Sequence, residues 1–261
     1  MEQTAIDALG DELYTALRER RVVPPLTGRP APISVDDAYG VSMRMLARRE
    51  ADGERVIGAK IGVTSRAVQD MLGVYQPDFG LLTDRMRHPN GADVPISREL
   101  IQPRVEGEIA FLLRHDLAGP GVTAAQVLHA TEGVLPCFEI VDSRIEGWKI
   151  RIEDTIADNA SCGLFVTGDT PADPRRVDLP SCTLVLENHG EVIATGAGAA
   201  AMGSPLNTVA WLANALGRYG IALRAGDIVL SGSLVPLLPV KPGDRMRVSI
   251  AGVGSAEAWF S

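Results

Sequence analysis

The sequence contains few of the residues and patterns that mark redox, zinc-binding or nucleic-acid-binding proteins. Aromatic residues make up 5% of the chain, and the formal net charge of −8 argues against nucleic acid or an anionic membrane as the main partner. The cysteines Cys137, Cys162 and Cys182 are odd in number and include no CxxC pair, so neither a disulfide framework nor a zinc site is expected. Each lies in an apolar stretch, which predicts small buried thiols.

Long apolar runs and the motifs of several enzyme classes are also absent. No apolar run reaches the roughly 18 residues that a membrane helix needs. The chain begins at Met1 with neither the basic nor the apolar segment of a secretory signal, so a cytoplasmic protein is expected. There is no Walker loop and no nucleophile elbow, and the glycine-rich stretch at 196–201 lacks the third glycine of a dinucleotide fingerprint. These absences disfavour nucleotide chemistry and a covalent mechanism.

The chain has a helical beginning followed by many short strands. At 261 residues and 46% hydrophobic it can bury a full core. In 1–55 apolar residues recur at helical spacing, and Ser34 with Asp37 predicts the capped start of a second helix. Beyond, short strands joined by glycine and proline, with few helices, favour an α+β fold with a curled or barrel-like mixed sheet over a doubly wound one. We predict a helical N-terminal region, 1–55, and a metal-binding catalytic β domain, 56–261.

Two shorter elements can also be placed from local signals. Thr123 begins a predicted helix that runs to about Gly133. His189 lies at the tip of a predicted hairpin, where the pattern indicates a solvated turn residue rather than a catalytic base.

Two predicted strands carry carboxylates whose burial would be costly. Glu106 and Glu108 lie two residues apart in an apolar run, so in a strand both point to one face, and Glu139 lies in a later run of the same kind. At about 4 Å two carboxylates repel by on the order of 4 kcal/mol at an effective dielectric near 20, so a cation or a proton must compensate. Spacing alone leaves two alternatives open. One is a site for a hard divalent ion, and the other is an ordinary ion pair with Arg104 or another base at a sheet edge.

Two further charged residues stand out because of their neighbours. Lys60 interrupts an apolar strand, so its side chain either reaches along the surface to solvent or has a functional role. Asp78 lies between a proline and an aromatic residue, where an aspartate ordinarily makes a local turn hydrogen bond.

Several longer motifs together resemble a known family. They are Gly-Ala-Lys-Ile-Gly-Val-Thr-Ser around Lys60, Gln-Pro-Asp-Phe-Gly at 76–80, Gln-Pro-Arg-Val-Glu-Gly-Glu-Ile-Ala at 102–110, the stretch 136–143, and Ala-Asp-Asn-Ala-Ser at 157–161. In this order they resemble the 2-hydroxypenta-2,4-dienoate (2-keto-4-pentenoate) hydratases. These belong with the 4-oxalocrotonate decarboxylases in the fumarylacetoacetate hydrolase superfamily. The resemblance covers essentially the whole chain.

The resemblance implies a fold and a metal centre. The expected fold is a mixed β-roll core of the fumarylacetoacetate hydrolase C-terminal type with a small helical N-terminal region, assembled as a closed homo-oligomer. Mg²⁺ or Mn²⁺ is expected on the carboxylates that match Glu106, Glu108 and Glu139.

It also implies roles for residues around that centre. Lys60 matches the family lysine beside the metal, and Asp78 matches an acidic position in the pocket, so both are predicted to be catalytic. Ser161 and the loop carrying Ser231 and Ser233 are predicted to bind the substrate. That loop departs from the threonines more usual in the superfamily.

The activity implied is hydration of 2-hydroxypenta-2,4-dienoate to 4-hydroxy-2-oxopentanoate, within the meta-cleavage catabolism of aromatic compounds. The first alternative is 4-oxalocrotonate decarboxylase, which the motifs at 76–80 and 161–163 disfavour because they look like the hydratase versions. The second alternative is a non-catalytic scaffold for the decarboxylase. In either of the two main cases the ligand is a small 2-oxo or 2-hydroxy dienoic acid, and a complex with the decarboxylase is a further expected partnership.

Overall fold

A computed structural model describes residues 1–65, 69, 74 and 76–261. The α-helices described within these residues are α1 (Gln3–Glu19), α2 (Val35–Ala51), α3 (Ile96–Glu99), α4 (Ala124–Ala130), α5 (Ile152–Ala157) and α6 (Pro205–Gly217). The strands are β1 (Val56–Gly62), β2 (Asp78–Thr83), β3 (Arg87–His88), β4 (Ala92–Val94), β5 (Arg104–Leu113), β6 (Thr131–Val141), β7 (Cys162–Thr167), β8 (Thr183–Asn188), β9 (Glu191–Ala197), β10 (Ile228–Leu230), β11 (Leu238–Pro239), β12 (Arg245–Ile250) and β13 (Gly254–Phe260).

The N-terminal helices form a hairpin that packs on the sheet. Helix α2 begins with the predicted capping box, since Ser34 Oγ accepts from Asp37 N and the Asp37 carboxylate accepts from Ser34 N at 3.0 Å. On its inner face Tyr39 stacks on Phe79 of β2, with ring centroids 4.3 Å apart. The apolar core therefore runs from α2 into the sheet. The division into 1–55 and 56–261 stays a prediction.

The described strands form two sheets. The larger has the order β2-β1-β10-β5-β6-β7-β3, with β11 paired to the start of β5, and the smaller has the order β4-β13-β12-β8-β9. In the larger sheet β1 pairs with β10 and β3 with β7 in parallel, while β5 and β6 pair antiparallel along their whole length. This mixture of directions confirms the predicted mixed sheet and excludes a doubly wound architecture.

The predictions for His189 and the cysteines are confirmed, whereas the predicted end of the helix after Thr123 is wrong. His189 lies at the tip of the β8–β9 hairpin with φ of 52°, followed by Gly190, as a turn residue should. The helix predicted to reach Gly133 instead ends at Ala130, because Thr131 and Gly133 pair with the end of β5. The cysteines are free and buried as expected. Within the described part of the chain, none of the helices has the length and apolar character that a membrane span requires.

Candidate metal centre and active site

The pairing of β5 with β6 gathers three carboxylates on one face. Glu106 lies directly opposite Glu139, and Glu108 follows Glu106 by two residues. One oxygen from each side chain lies within 4.8 Å of the others. Glu108 and Glu139 are fully buried, and Glu106 is half-buried. The structure thus brings together the three residues that the sequence singled out, and we call them the carboxylate cluster.

Protein groups satisfy this cluster only in part. Gly232 N donates to Glu108 Oε2 at 2.8 Å, while Glu108 Oε1 has no partner in the described chain. Lys60 Nζ lies 3.1 Å from Glu139 Oε1, an ion pair without hydrogen-bond geometry, so both Glu139 oxygens keep free lone pairs. Buried oxygens left in this way are costly unless something else binds them.

The alternative explanation is an ion pair of Glu106 or Glu108 with Arg104 or another base at a sheet edge, and for Arg104 it is wrong. The Arg104 guanidinium lies over the Trp148 ring, 4.7 Å from its centroid. Among the ion pairs of the described residues none joins Arg104 to Glu106 or Glu108.

Burial and mutual repulsion set the protonation of the cluster. Burial, with the charge of Glu139 added, raises the pKa of Glu106 to about 8. The same causes raise the pKa of Glu108 well above its ordinary value. The fully ionised cluster is therefore unfavourable on its own, and a bound divalent cation would relieve the repulsion. The residues present fit such an ion, since hard cations prefer carboxylate oxygens.

The raised pKa values predict how the metal-free protein responds to pH. Folded Glu106 and Glu108 hold protons that the unfolded chain releases near pH 4.5. The free energy of unfolding should therefore be highest at about pH 5 and fall as pH rises to about 8. The accompanying fall in Tm should be on the order of 5 °C. Thermal unfolding in chelator across that range measures it, and Glu106→Gln should show a shallower fall. A Tm of the metal-free wild type that does not change with pH, or that rises, would contradict this assignment.

Lys60 and Asp78 lie together beside the cluster. Lys60 is 3% exposed, so the interpretation that it reaches solvent is wrong. Burial by itself lowers the pKa of Lys60, but Glu139 and Asp78 raise it above the ordinary value, so the ammonium stays charged. Gly62, opposite Asp78 in the β1–β2 ladder, makes the room: a Cβ there would lie 2.2 Å from Asp78 Oδ1 and 3.5 Å from Lys60 Nζ.

Asp78 does not make the local turn hydrogen bond that its neighbours suggest. It is the first residue of β2 and 1% exposed, and neither of its carboxylate oxygens makes a hydrogen bond of good geometry, although Thr155 and Gly62 N lie near enough to lower its pKa. Burial raises the pKa of Asp78, and the nearby Lys60 opposes that rise. Asp78 is therefore a buried acid held beside a fixed cation.

The turn before β7 carries Ser161 in an unusual backbone conformation. Asn159, Ala160 and Ser161 have φ of 53°, 51° and 53°, the left-handed region that non-glycine residues rarely adopt. The Asn159 amide donates to Leu81 O at 2.9 Å and accepts from Leu81 N at 2.8 Å, which fastens the turn to β2. Ser161 is buried, with its Oγ 3.2 Å from Thr155 Oγ1.

A buried arginine that the sequence reasoning missed supports this turn. Arg144 is fully buried, and its guanidinium donates to the Asp158 carboxylate at 2.5 Å, to Asp158 O at 2.6 Å and to Cys162 O at 3.1 Å. It thus contacts both ends of the turn. An arginine directly after the 136–143 motif was the available signal, but nothing in the sequence indicated that its partner was Asp158.

The two serines of the loop after β10 differ in what their hydroxyls do. Ser231 is buried, its Oγ has no partner in the described chain, and it precedes Gly232, which donates to Glu108. Ser233 is half-buried, and its Oγ donates to Val235 O at 2.7 Å within the loop itself. The Ser231 hydroxyl is therefore free to bind a ligand. The Ser233 hydroxyl would first have to break its hydrogen bond to Val235 O.

Fold and site together define the class of protein. Residues 60–260 match the sequence profile described as fumarylacetoacetate (FAA) hydrolase C-terminal. The chain belongs to the fumarylacetoacetate hydrolase family.

Relatives within this family share nearly the whole chain. A 2-hydroxypent-2,4-dienoate hydratase of Pseudomonas putida is 65% identical over 222 residues, 85% of this chain and 100% of that one. A 2-hydroxyhexa-2,4-dienoate hydratase of Comamonas testosteroni is 54% identical over 257 residues, 98% and 97% of the two chains. Among solved structures, 4-oxalocrotonate decarboxylase from Pseudomonas putida G7, complexed with magnesium and adipate, has a TM-score of 0.96 at 36% identity, covering 100% of this chain and 99% of that one.

Proposed function

We propose that this chain is a divalent-cation-dependent hydratase that converts 2-hydroxypenta-2,4-dienoate (2-oxopent-4-enoate) to 4-hydroxy-2-oxopentanoate in the meta-cleavage catabolism of aromatic compounds. The observation that carries the proposal is the buried carboxylate cluster, with unpartnered oxygens on Glu108 and Glu139 beside the charged Lys60. The two hydratases described above, both more than half identical to this chain, support the reaction and the substrate class.

Glu106, Glu108 and Glu139 would hold the cation, which we propose to be Mg²⁺ or Mn²⁺. The magnesium in the related decarboxylase structure supports a divalent ion. When bound, such an ion supplies Lewis acidity at the C2 oxygen of a 2-oxo acid.

The protein's own groups would then bind substrate and move protons. The Lys60 ammonium would stabilise the negative charge on the C2 oxygen when the C2 hydroxyl gives up its proton and C5 takes one up, and again when water adds. In the second step the water oxygen bonds to C4, its proton passes to Asp78, and C3 takes up the balancing proton. The raised pKa of Asp78 suits it to accept a proton and release it again.

The hydroxyl groups around this cluster would orient the substrate. Ser161 and Ser231, both buried, would donate to the substrate carboxylate. Ser233 would join them only by exchanging its hydrogen bond to Val235 O for one to the ligand.

The decarboxylase is the rival supported by a specific observation, because the related solved structure matches over the whole chain. The higher identity to the two hydratases favours hydration. A non-catalytic scaffold is the weaker rival, since a scaffold has no use for buried carboxylates that repel one another.

One assay separates these functions. Purified protein should remove the dienoate chromophore in the presence of Mg²⁺ or Mn²⁺, lose that activity in chelator and regain it when the ion is restored. The same samples should release no CO₂ from 4-oxalocrotonate. Release of CO₂ without hydration would establish the decarboxylase instead. The absence of both activities at every metal concentration would favour the non-catalytic scaffold.

We also propose a cytoplasmic homo-oligomer, able to form a complex with the decarboxylase. Exposed apolar side chains on the edge strand β9, Val192 at 59% and Ile193 at 42% exposure, support contact between copies. Light scattering of the purified chain would show a single monomeric mass if the homo-oligomer is wrong.

A further inference from the structure

A cavity of about 520 Å³ is lined in part by Thr64 and Pro77 and has no role in the chemistry described so far. Its apolar wall consists of Pro77, Ala199, Ala200, Met202 and Trp211. Thr64, Gln69 and Gln76 add polar edges, and Gln69 already donates to Val63 O at 3.0 Å. None of the described lining residues carries a charge.

Two short chains of contacts connect this cavity to the cluster. Thr64 packs against Gly232, where an added Cβ would lie 2.4 Å from the Thr64 methyl carbon, and Gly232 N donates to Glu108. On the other side, Pro77 directly precedes Asp78, which lies beside Lys60. The cavity therefore adjoins the site that would hold the polar end of the substrate.

The glycine-rich stretch that fits no nucleotide motif builds one wall of this cavity. A Cβ on Gly196 would lie 1.8 Å from Leu234 O, and one on Gly198 would lie 1.7 Å from Leu179 O, so only glycine permits this close backbone packing. Leu234 belongs to the same loop as Gly232, and its N–H donates to Gly107 O, between the two glutamates of β5. The packing brings Ala199 and Ala200 to the cavity, and α6, capped by Ser204, presents Trp211.

We propose that this cavity receives the end of the substrate's carbon chain remote from the carboxylate, and that it selects dienoates with an apolar alkyl substituent at that end. The proposal rests on the proposed function. Each methylene buried against this wall should raise kcat/KM about fourfold, since burial of apolar surface is favourable.

Filling the cavity tests the proposal. Ala200 is exposed, so Ala200→Leu should fold normally while its side chain occupies the space. We expect kcat/KM for a 5-propyl dienoate to fall at least about tenfold, with kcat/KM for the unsubstituted dienoate unchanged within about twofold. Ala251→Leu, at an exposed alanine in the β12–β13 turn, is the matched control and should alter neither value. An equal effect of Ala200→Leu on both substrates, or no effect on either, would overturn the inference.

A binding measurement keeps this result separate from the proposed reaction. If the wild type hydrates neither dienoate, the proposed function fails, and calorimetry with saturated 2-oxo acids in Mg²⁺ still decides the role of the cavity. Affinity should rise from pyruvate to 2-oxoheptanoate in the wild type and in Ala251→Leu, and the rise should be lost in Ala200→Leu. An affinity independent of chain length, or a rise retained in Ala200→Leu, would refute the cavity's role whatever the reaction proves to be.

Discussion

Replacing Glu108 with glutamine is expected to weaken Mn²⁺ binding by at least about 100-fold and to lower kcat/KM in parallel at limiting metal. The change removes one negative charge from a cluster whose attraction for a cation depends on charge, yet keeps an oxygen able to accept from Gly232 N. Folding should therefore survive. Because the pKa of Glu108 is raised, its ionised form destabilises the metal-free protein, so Glu108→Gln should be more stable than wild type in chelator at pH 8.

This opposite effect on binding and on stability distinguishes loss of a ligand from general damage. Calorimetric titration with Mn²⁺ and thermal unfolding in chelator measure the two quantities. Glu132→Gln is the matched control, since Glu132 is an exposed glutamate on the same strand as Glu139 and should change neither. Full Mg²⁺-dependent activity in Glu108→Gln, at metal concentrations that do not saturate a weak site, would remove Glu108 from the metal centre.

Strand periodicity explains why the carboxylate cluster could be anticipated from the sequence. Glu106 and Glu108 share a face of any strand that contains them, whatever the rest of the fold does. The position of Glu139 was a different matter, because only the register of β5 against β6 puts it opposite Glu106. Register depends on all the residue pairs between the two strands, so local sequence patterns do not predict it. The place of Glu139 in the site was predicted from the family resemblance.

The surroundings of the cluster were less predictable because they depend on contacts distant in sequence. Nothing local requires Asn159 to adopt a left-handed conformation, which is fixed by its side-chain hydrogen bonds to Leu81. Asp78 is buried because Gly62, on the neighbouring strand, leaves space for it. For the same reason the helix that begins after Thr123 ends early, since pairing with β5 draws Thr131 into the sheet.

Lys60→Met is expected to lower kcat by on the order of 100-fold to 1000-fold while Mn²⁺ affinity stays the same or rises. The ammonium lies 3.1 Å from Glu139 Oε1, where it competes with a cation for the same oxygen and repels it. Its loss therefore cannot weaken metal binding by direct electrostatics. What is lost is the fixed positive charge that would stabilise the C2 oxygen as negative charge develops there.

The effect of Lys60→Met on the free energy of unfolding should depend on whether metal is bound, and comparing the two states provides a control. Without metal, Lys60→Met leaves the Glu139 carboxylate buried and unpaired, a loss of about 3–5 kcal/mol, whereas bound Mg²⁺ should restore most of the stability. Lys149→Met removes an exposed lysine and should change neither kcat nor Tm.

Asp78→Asn provides the mechanistic contrast to Lys60→Met. It keeps the positive charge at Lys60, so solvent deuterium should still enter C3 of a 2-oxo acid while hydration of the dienoate slows. In Lys60→Met both processes should slow together, because both pass through negative charge on the C2 oxygen. A wild-type rate in Lys60→Met would show that the ammonium only balances charge in the folded protein. A fall in metal affinity that matches the fall in kcat would show that Lys60 organises the carboxylate cluster rather than acting on the substrate.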